Sequence, residues 1–121
     1  MKINVIGSGS IGSDAMSASC LIDEHILVDV PNGIIKHLKN LNYDILKIDT
    51  IIITHLHGDH FFDLPFLMLG KYFSCDKTLV KIICPYGTIK KLKALFRIGF
   101  PYDFRKVMNC INIEFMEHKG R

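Results

Sequence analysis

Short apolar segments separated by polar turns recur along the chain, and this pattern predicts strands interspersed with helices. Residues 51–53 are all isoleucine, a β-branched run that is too short for a buried helix. They predict a strand buried on both faces in the middle of a sheet. Residues 19–22 and 25–30 predict a hairpin around Asp23 and Glu24. The other strands are predicted at residues 2–6, 79–84 and 111–116.

Helical spacing of apolar residues occurs in three segments, residues 32–41, 63–70 and 86–97. We expect the side chain of Asn32 to cap the first helix and that of Asp63 to cap the second, with Pro65 in its first turn. The second helix is apolar almost all round and should therefore be buried. The third has a basic face, which could steer RNA, although a solvated lysine face is the commoner arrangement. A turn is expected at residues 99–102.

Residues 54–60, Thr-His-Leu-His-Gly-Asp-His, follow the isoleucine strand directly and are called the histidine loop here. Residues two apart in extended chain point the same way, so His55 and His57 can offer both imidazoles to one ion. Gly58 permits a sharp turn that brings Asp59 and His60 to another side of the same site. Imidazole and carboxylate ligands suit zinc and, less selectively, manganese or iron. A surface loop that happens to be rich in histidine is the alternative interpretation.

The histidine loop, with the sequence Asp63-Leu64-Pro65 after it, resembles the motif of the metallo-β-lactamase-fold hydrolases. Among these it looks most like the ribonuclease Z branch, which usually has glycine at the position of Asp63. The resemblance implies an α/β (α+β) fold, the four-layer αββα sandwich. Since members of this family are usually about twice as long, we expect residues 1–121 to be the N-terminal part of a single such domain. This part would supply one mixed sheet with its helices, and the C-terminal half would be absent.

The same resemblance implies roles for individual residues. His55 and His57 would bind one metal, Asp59 and His60 a second, with two Zn²⁺ per complete site and Mn²⁺ or Fe²⁺ as alternatives. A hydroxide held by the metals would be the nucleophile, since metal binding lowers the pKa of water. Asp59 would also be the catalytic residue that assists proton transfer. One residue outside the loop belongs to the implied set: Asp29 would support the loop from behind the ligands. The third histidine of the family lies further downstream than residue 121, and His118, the only late histidine, looks like a turn residue and is a candidate additional ligand.

Three functions remain open at this point. The first is a zinc-dependent hydrolase, a ribonuclease Z-like phosphodiesterase acting on RNA or on a small nucleotide. The second is a lactonase or thioester hydrolase, since the same motif serves those reactions. The third, from a different class, is a truncated, non-catalytic half-domain that functions by pairing. We expect the 121-residue chain alone to be inactive, and to form a homodimer through an apolar sheet face that it would expose.

Two further features, a glycine-rich turn and a pair of phenylalanines, can be interpreted either as functional or as structural. Gly7, Gly9 and Gly12 match a dinucleotide-binding spacing, but the pattern requires a helix directly afterwards, which residues 13–19 do not favour. Phe61 and Phe62 follow the histidine loop and could either line a substrate pocket or belong to the core.

Composition adds limits on compartment and partners. The net charge of +3 permits acidic or phosphorylated partners without requiring them. The four cysteines include no Cys-x-x-Cys pair, so reduced thiols in the cytoplasm are the expected state. No stretch approaches the roughly 20 apolar residues of a membrane span, and we therefore expect no membrane partner.

Overall fold

The computed structural model describes residues 1–10, 12–100 and 104–119. It contains a six-stranded sheet and helices. The strands are β1 (Ile3–Gly7), β2 (Ser19–Ile22), β3 (Ile26–Val28), β4 (Thr50–Ile52), β5 (Val80–Pro85) and β6 (Ile113–His118). The helices are α1 (Ile34–Asn40), α2 (Gly58–Phe61), α3 (Leu64–Phe73), α4 (Thr88–Gly99) and α5 (Phe104–Cys110), with a 3₁₀ turn at Ile45–Lys47. The strands lie in the sheet in chain order.

The sheet is mixed, as the resemblance implied. Strands β1, β2 and β3 are antiparallel, whereas β3 to β6 are parallel neighbours connected through helices. Asp23 and Glu24 form the predicted hairpin turn with φ of 51° and 64°, the positive values that a two-residue hairpin turn needs at both positions. Parallel pairing places the carboxyl ends of β3, β4, β5 and β6 at one edge of the sheet.

The helices and the sheet enclose the core between them. Leu21, Leu27, Ile51 and Ile82 stand in register across four strands, and each is at most 1% exposed. The helices contribute further fully buried side chains to this core, among them Leu38, Leu64, Met68, Leu92 and Phe96. This arrangement accounts for the apolar stripes that predicted the helices.

The other face of the sheet is uncovered by the described residues and carries an apolar row. One register row crosses all six strands on this face and is called the open face here: Val5, Cys20, Val28, Ile52, Ile83 and Met116. Val5 is 71% and Met116 48% exposed, and the four between them are partly buried. The expectation that residues 51–53 are buried on both faces is therefore wrong for Ile52, because the described part of the chain supplies no second layer over this face.

Of the two predicted helix caps, Asp63 is confirmed in its position, with Pro65 in the first turn of α3, whereas Asn32 is wrong. Residue 33, a glycine with φ of 86°, occupies the N-cap position of α1, and Asn32 makes no cap hydrogen bond there. Asp63 occupies the N-cap position of α3, but its side chain does not bind α3. Its carboxylate instead accepts the backbone N–H groups of Gly33 and Ile35 in α1. A contact over about 30 residues of sequence is invisible to a local capping rule.

Three further expectations can be compared with the structure. Helix α5 was not predicted, and the turn expected at residues 99–102 lies partly outside the described residues. Phe61 belongs to the core at 4% exposed, whereas Phe62 is 48% exposed, so the two neighbours have different surroundings. The third predicted helix ends at Gly99 and keeps its basic face in solvent. No helix within the described residues is long and apolar enough to cross a membrane.

Candidate metal centre

The histidine loop leaves β4 at the edge of the sheet that carries the carboxyl ends of the parallel strands. Helix α2 begins at Gly58, so the chain turns from extended to helical within the loop. A Cβ atom on Gly87 would lie 4.0 Å from Cδ1 of Leu56, which places the turn before α4 beside the loop. Open α/β sheets bind ligands outside the carboxyl ends of their strands, and the loop occupies such a position.

Asp29 contacts the beginning and the end of the histidine loop. Its Oδ1 accepts the backbone N–H of Thr54 at 2.8 Å, and its Oδ2 accepts the Thr54 hydroxyl at 2.7 Å. The same Oδ2 lies 2.9 Å from Nδ1 of His60. Asp29 has φ of 64°, a left-handed conformation that non-glycine residues rarely adopt and that clusters at functional corners. The carboxylate therefore stands where the sequence analysis expected a support for the loop.

Thr54 and Asp29 determine which nitrogen carries the proton in two imidazoles, those of His55 and His60. It has a single hydrogen, which it donates to Asp29, so toward Nδ1 of His55 at 3.1 Å it can only accept. The Asp29 carboxylate also only accepts, so His60 donates from its Nδ1. In its neutral form each ring thus carries its single proton on Nδ1 and leaves Nε2 as the acceptor nitrogen, the form that a metal requires. Sequence reasoning missed Thr54, although its place directly before the first histidine was an available signal.

The four predicted ligands lie close together. The ring centroid of His55 is 4.7 Å from that of His57 and 3.8 Å from that of His60. Nε2 of His60 lies 3.6 Å from Oδ2 of Asp59, and both side chains are 16% exposed. These donors fit zinc in their chemistry. However, within residues 1–10, 12–100 and 104–119 no three His, Cys, Asp or Glu side chains converge as a metal-binding group. The described residues thus supply pairs of donors rather than a complete set.

Two other histidines, His118 and His25, lie at the ends of other strands. His118 was expected in a turn, but it is the last residue of β6, where it pairs with Pro85. That strand ends at the same edge of the sheet, so His118 as an additional ligand stays a prediction. His25 lies before β3, at the opposite edge, where its Nδ1 is 2.8 Å from Oδ1 of Asp49. This hydrogen bond lowers the pKa of Asp49 and accounts for His25 without a metal.

Cys84 can be removed from the candidate ligands. It is fully buried in β5, and burial raises the pKa of its thiol. A metal ligand must be a thiolate, which this environment disfavours. The other described cysteines, Cys20, Cys75 and Cys110, are free thiols outside the histidine loop.

Comparison with known proteins decides the family. The family model described as "Anti-Pycsar protein Apyc1" matches residues 1–110. The chain belongs to the Apyc1 family. The chain is also similar to curated ribonucleases Z. That of Clostridium kluyveri is 38% identical over 84 residues, which cover 68% of this chain and 28% of the relative. That of Picrophilus torridus is 28% identical over 123 residues, covering 98% of this chain and 39% of the relative.

Solved structures show the same fold. The short form of human tRNase Z superimposes with a TM-score of 0.79 at 22% identity, over 100% of this chain and 47% of that chain. The metallo-β-lactamase-fold protein YhfI of Bacillus subtilis gives 0.62 at 17% identity, over 95% and 45%. The predicted ribonuclease Z-like metallo-β-lactamase fold is thereby confirmed. The chain spans less than half the length of these relatives and structures.

Proposed function

We propose that residues 1–121 are the N-terminal part of a single metallo-β-lactamase-like domain that hydrolyses phosphodiesters in RNA or a small nucleotide. One observation carries the proposal. Hydrogen bonds to Asp29 and Thr54 place a proton on Nδ1 of His60 and His55, so that Nε2 of each neutral ring is open to a metal, and Nε2 of His60 lies 3.6 Å from Oδ2 of Asp59. An arrangement that fixes imidazole tautomers in this way is typical of metal ligands. The similarity to ribonucleases Z supports the reaction class.

Each residue of the loop has a proposed role. His55 and His57 hold one metal, and Asp59 and His60 hold a second, with Zn²⁺ preferred over Mn²⁺ or Fe²⁺. When bound, the metal supplies Lewis acidity that polarises the phosphodiester and lowers the pKa of water. Asp59 additionally accepts a proton during hydrolysis, the role that the ribonuclease Z resemblance implies for it. Its carboxylate is 16% exposed and lies 3.6 Å from Nε2 of His60. Asp29 keeps His60 oriented through Nδ1.

The first experiment measures bound metal and hydrolysis in the protein produced from the complete reading frame that contains residues 1–121. We expect about two zinc ions per protein, as in two-metal hydrolases. We also expect cleavage of a short RNA or of bis(p-nitrophenyl) phosphate that a chelator abolishes. Asp59→Ala should remove the activity without unfolding the protein, whereas Asp14→Ala, which changes an exposed carboxylate, should retain it. Wild-type activity in Asp59→Ala, or preferential hydrolysis of a lactone or thioester, would contradict the proposed mechanism.

The open face supports a second candidate, a half-domain that acts by pairing. Its six apolar residues form a continuous band across the sheet, and monomeric proteins rarely leave such a band in water. We infer that the isolated 121-residue chain forms a homodimer through this face. Ile83→Lys places a charge in the middle of the band and should yield a monomer in sedimentation equilibrium. The matched change Ile98→Lys, on an exposed helical position, should leave the dimer intact. A monomeric wild-type chain at high concentration would exclude the pairing.

We also propose a cytoplasmic location. The support is chemical, since Cys75 and Cys110 are exposed free thiols, a state that reducing compartments maintain.

A further inference from the structure

The segment that leaves β3 and the segment that leaves the histidine loop are joined by a continuous series of hydrogen bonds. The series begins with the contact between Asp29 and His60 at 2.9 Å. The backbone N–H of Val30 then donates to the carbonyl of His60 at 2.8 Å, and the N–H of Asp63 donates back to the carbonyl of Val30 at 3.1 Å. The Asp63 side chain ends the series, because it accepts from Gly33 at 2.9 Å and from Ile35 at 2.8 Å.

The Asp63 carboxylate is the last fixed point of this series. It is buried, with only 5% of the residue exposed, and both of its oxygens accept a backbone N–H. Helix α1 has no side-chain cap at its own N-cap residue, so Asp63 satisfies the donors at its beginning. A carboxylate is also favourable beside the positive end of a helix dipole. The corner formed by residues 30–35 is therefore held against residues 60–63 by a group outside the histidine loop.

We propose that Asp63 is a positioning residue for the metal centre, an inference that rests on the proposed function. Its carboxylate holds the corner that follows Asp29 against the segment that follows His60. This fixes the distance at which Asp29 receives Nδ1 of His60. Without the anchor, the corner and the loop can separate while the core beneath them stays packed. Asp63 thus acts on His60 through the backbone and not by touching a metal or a substrate.

The test compares amide hydrogen exchange in the metal-free protein from the complete reading frame, in wild type and in Asp63→Asn. Asparagine keeps the shape of aspartate but presents an NH₂ group to one of two N–H donors, so the anchor is broken. The readout is the amide of Val30, which bonds to His60 and not to Asp63. We expect it to exchange about ten-fold faster in the variant, as loss of a charged hydrogen bond predicts.

Asp76→Asn is the matched control. This carboxylate lies beyond the far end of α3 and pairs with the buried Lys71, so its loss also destabilises the protein. When the two variants are compared at equal global stability, the Val30 amide should exchange faster than in wild type in Asp63→Asn and at the wild-type rate in Asp76→Asn. Equal Val30 exchange in the two variants would overturn the proposal.

Zinc affinity gives the second readout. We expect zinc to bind about ten-fold more weakly to Asp63→Asn, which is the lower end of the loss found for residues that orient metal ligands. Asp76→Asn should bind zinc with wild-type affinity. Unchanged affinity in Asp63→Asn would refute the positioning role even if exchange increased. If wild type neither binds zinc nor hydrolyses a phosphodiester, the proposed function fails, and the exchange comparison still decides whether Asp63 holds the loop.

Wild type alone provides a test if Asp63→Asn does not fold. In native-state exchange with low denaturant, the amides of Ile35 and Val30 should open together, with one free energy and one denaturant dependence. Opening of Ile35 at a lower free energy than Val30 would show that the corner moves without the loop, which contradicts the proposal.

Discussion

Asp29→Asn should distinguish the contribution of Asp29 to the stability of the fold from its contribution to metal binding. Asparagine tolerates the left-handed φ of 64° at this position, so the change adds little backbone strain, unlike alanine. The remaining oxygen can still accept the N–H of Thr54. The new NH₂ group replaces Oδ2, which accepts both the Thr54 hydroxyl and Nδ1 of His60 in wild type.

The magnitude follows from those two hydrogen bonds. A bond to a charged acceptor contributes about 1.5–3 kcal/mol and a neutral one about 0.5–1.5 kcal/mol, so each exchange costs about 1 kcal/mol. We therefore expect Asp29→Asn to lower the free energy of unfolding by about 2 kcal/mol. The change should also weaken metal binding through the tautomer of His60. Because the NH₂ group of asparagine donates, His60 must accept at Nδ1 and move its proton to Nε2, which blocks the ligand nitrogen. Zinc affinity should fall by about 10- to 100-fold.

Three measurements on one preparation check this prediction. Urea denaturation gives the stability, ¹⁵N NMR of the imidazole gives the tautomer of His60, and competition with a chelating dye gives the zinc affinity. Asp23→Asn is the control, because Asp23 has φ of 51° and an exposed carboxylate that binds only the N–H of Lys2 among the described contacts. If His60 keeps its proton on Nδ1 and zinc affinity is unchanged in Asp29→Asn, the tautomer argument is refuted.

Three other predictions concern the stability of the scaffold. Lys71→Met should change the free energy of unfolding by no more than about 1 kcal/mol. Asp76→Asn should lower it by about 3 kcal/mol, because only this variant leaves the fully buried Lys71 ammonium without its carboxylate. Urea titration of the two variants compares these values. The hydrogen bond from Lys71 lowers the pKa of Asp76 from 3.8 to about 2. The ionised carboxylate therefore stabilises the fold above pH 3.8, and this contribution is lost as the pH falls toward 2, so the difference between wild type and Asp76→Asn should shrink over that range. Glu117→Gln should cost about 1 kcal/mol in thermal denaturation, because its carboxylate accepts the N–H groups of Gly87 and Ile89 at the start of α4; no loss of stability would show that this cap is dispensable.

Local sequence was sufficient where neighbouring residues make the structure. The apolar runs located the strands, and the Asp23-Glu24 hairpin and the helical spacing of α1, α3 and α4 follow from contacts within a few residues. The order of residues in the histidine loop sufficed to predict the family fold, because the spacing of metal ligands along the chain is itself the constraint. Its ligand roles, with those of Asp29 and His118, remain predictions.

Tertiary structure decided what depends on distant partners. Sequence placed Asn32 and Asp63 as caps of the helices that follow them. The fold instead brings Asp63 to α1 and Glu117 to α4, because parallel strands bring together at one edge segments that lie far apart in the chain. The run at residues 51–53 looked buried on both faces, yet within the described ranges only one face of the sheet carries helices, so Ile52 joins the open face. The sequence by itself determined which chemical groups stand at the end of β4. Only folding determined that Asp29 and Thr54 set the tautomers of His55 and His60, because the Asp29 carboxylate must reach both ends of the histidine loop at once.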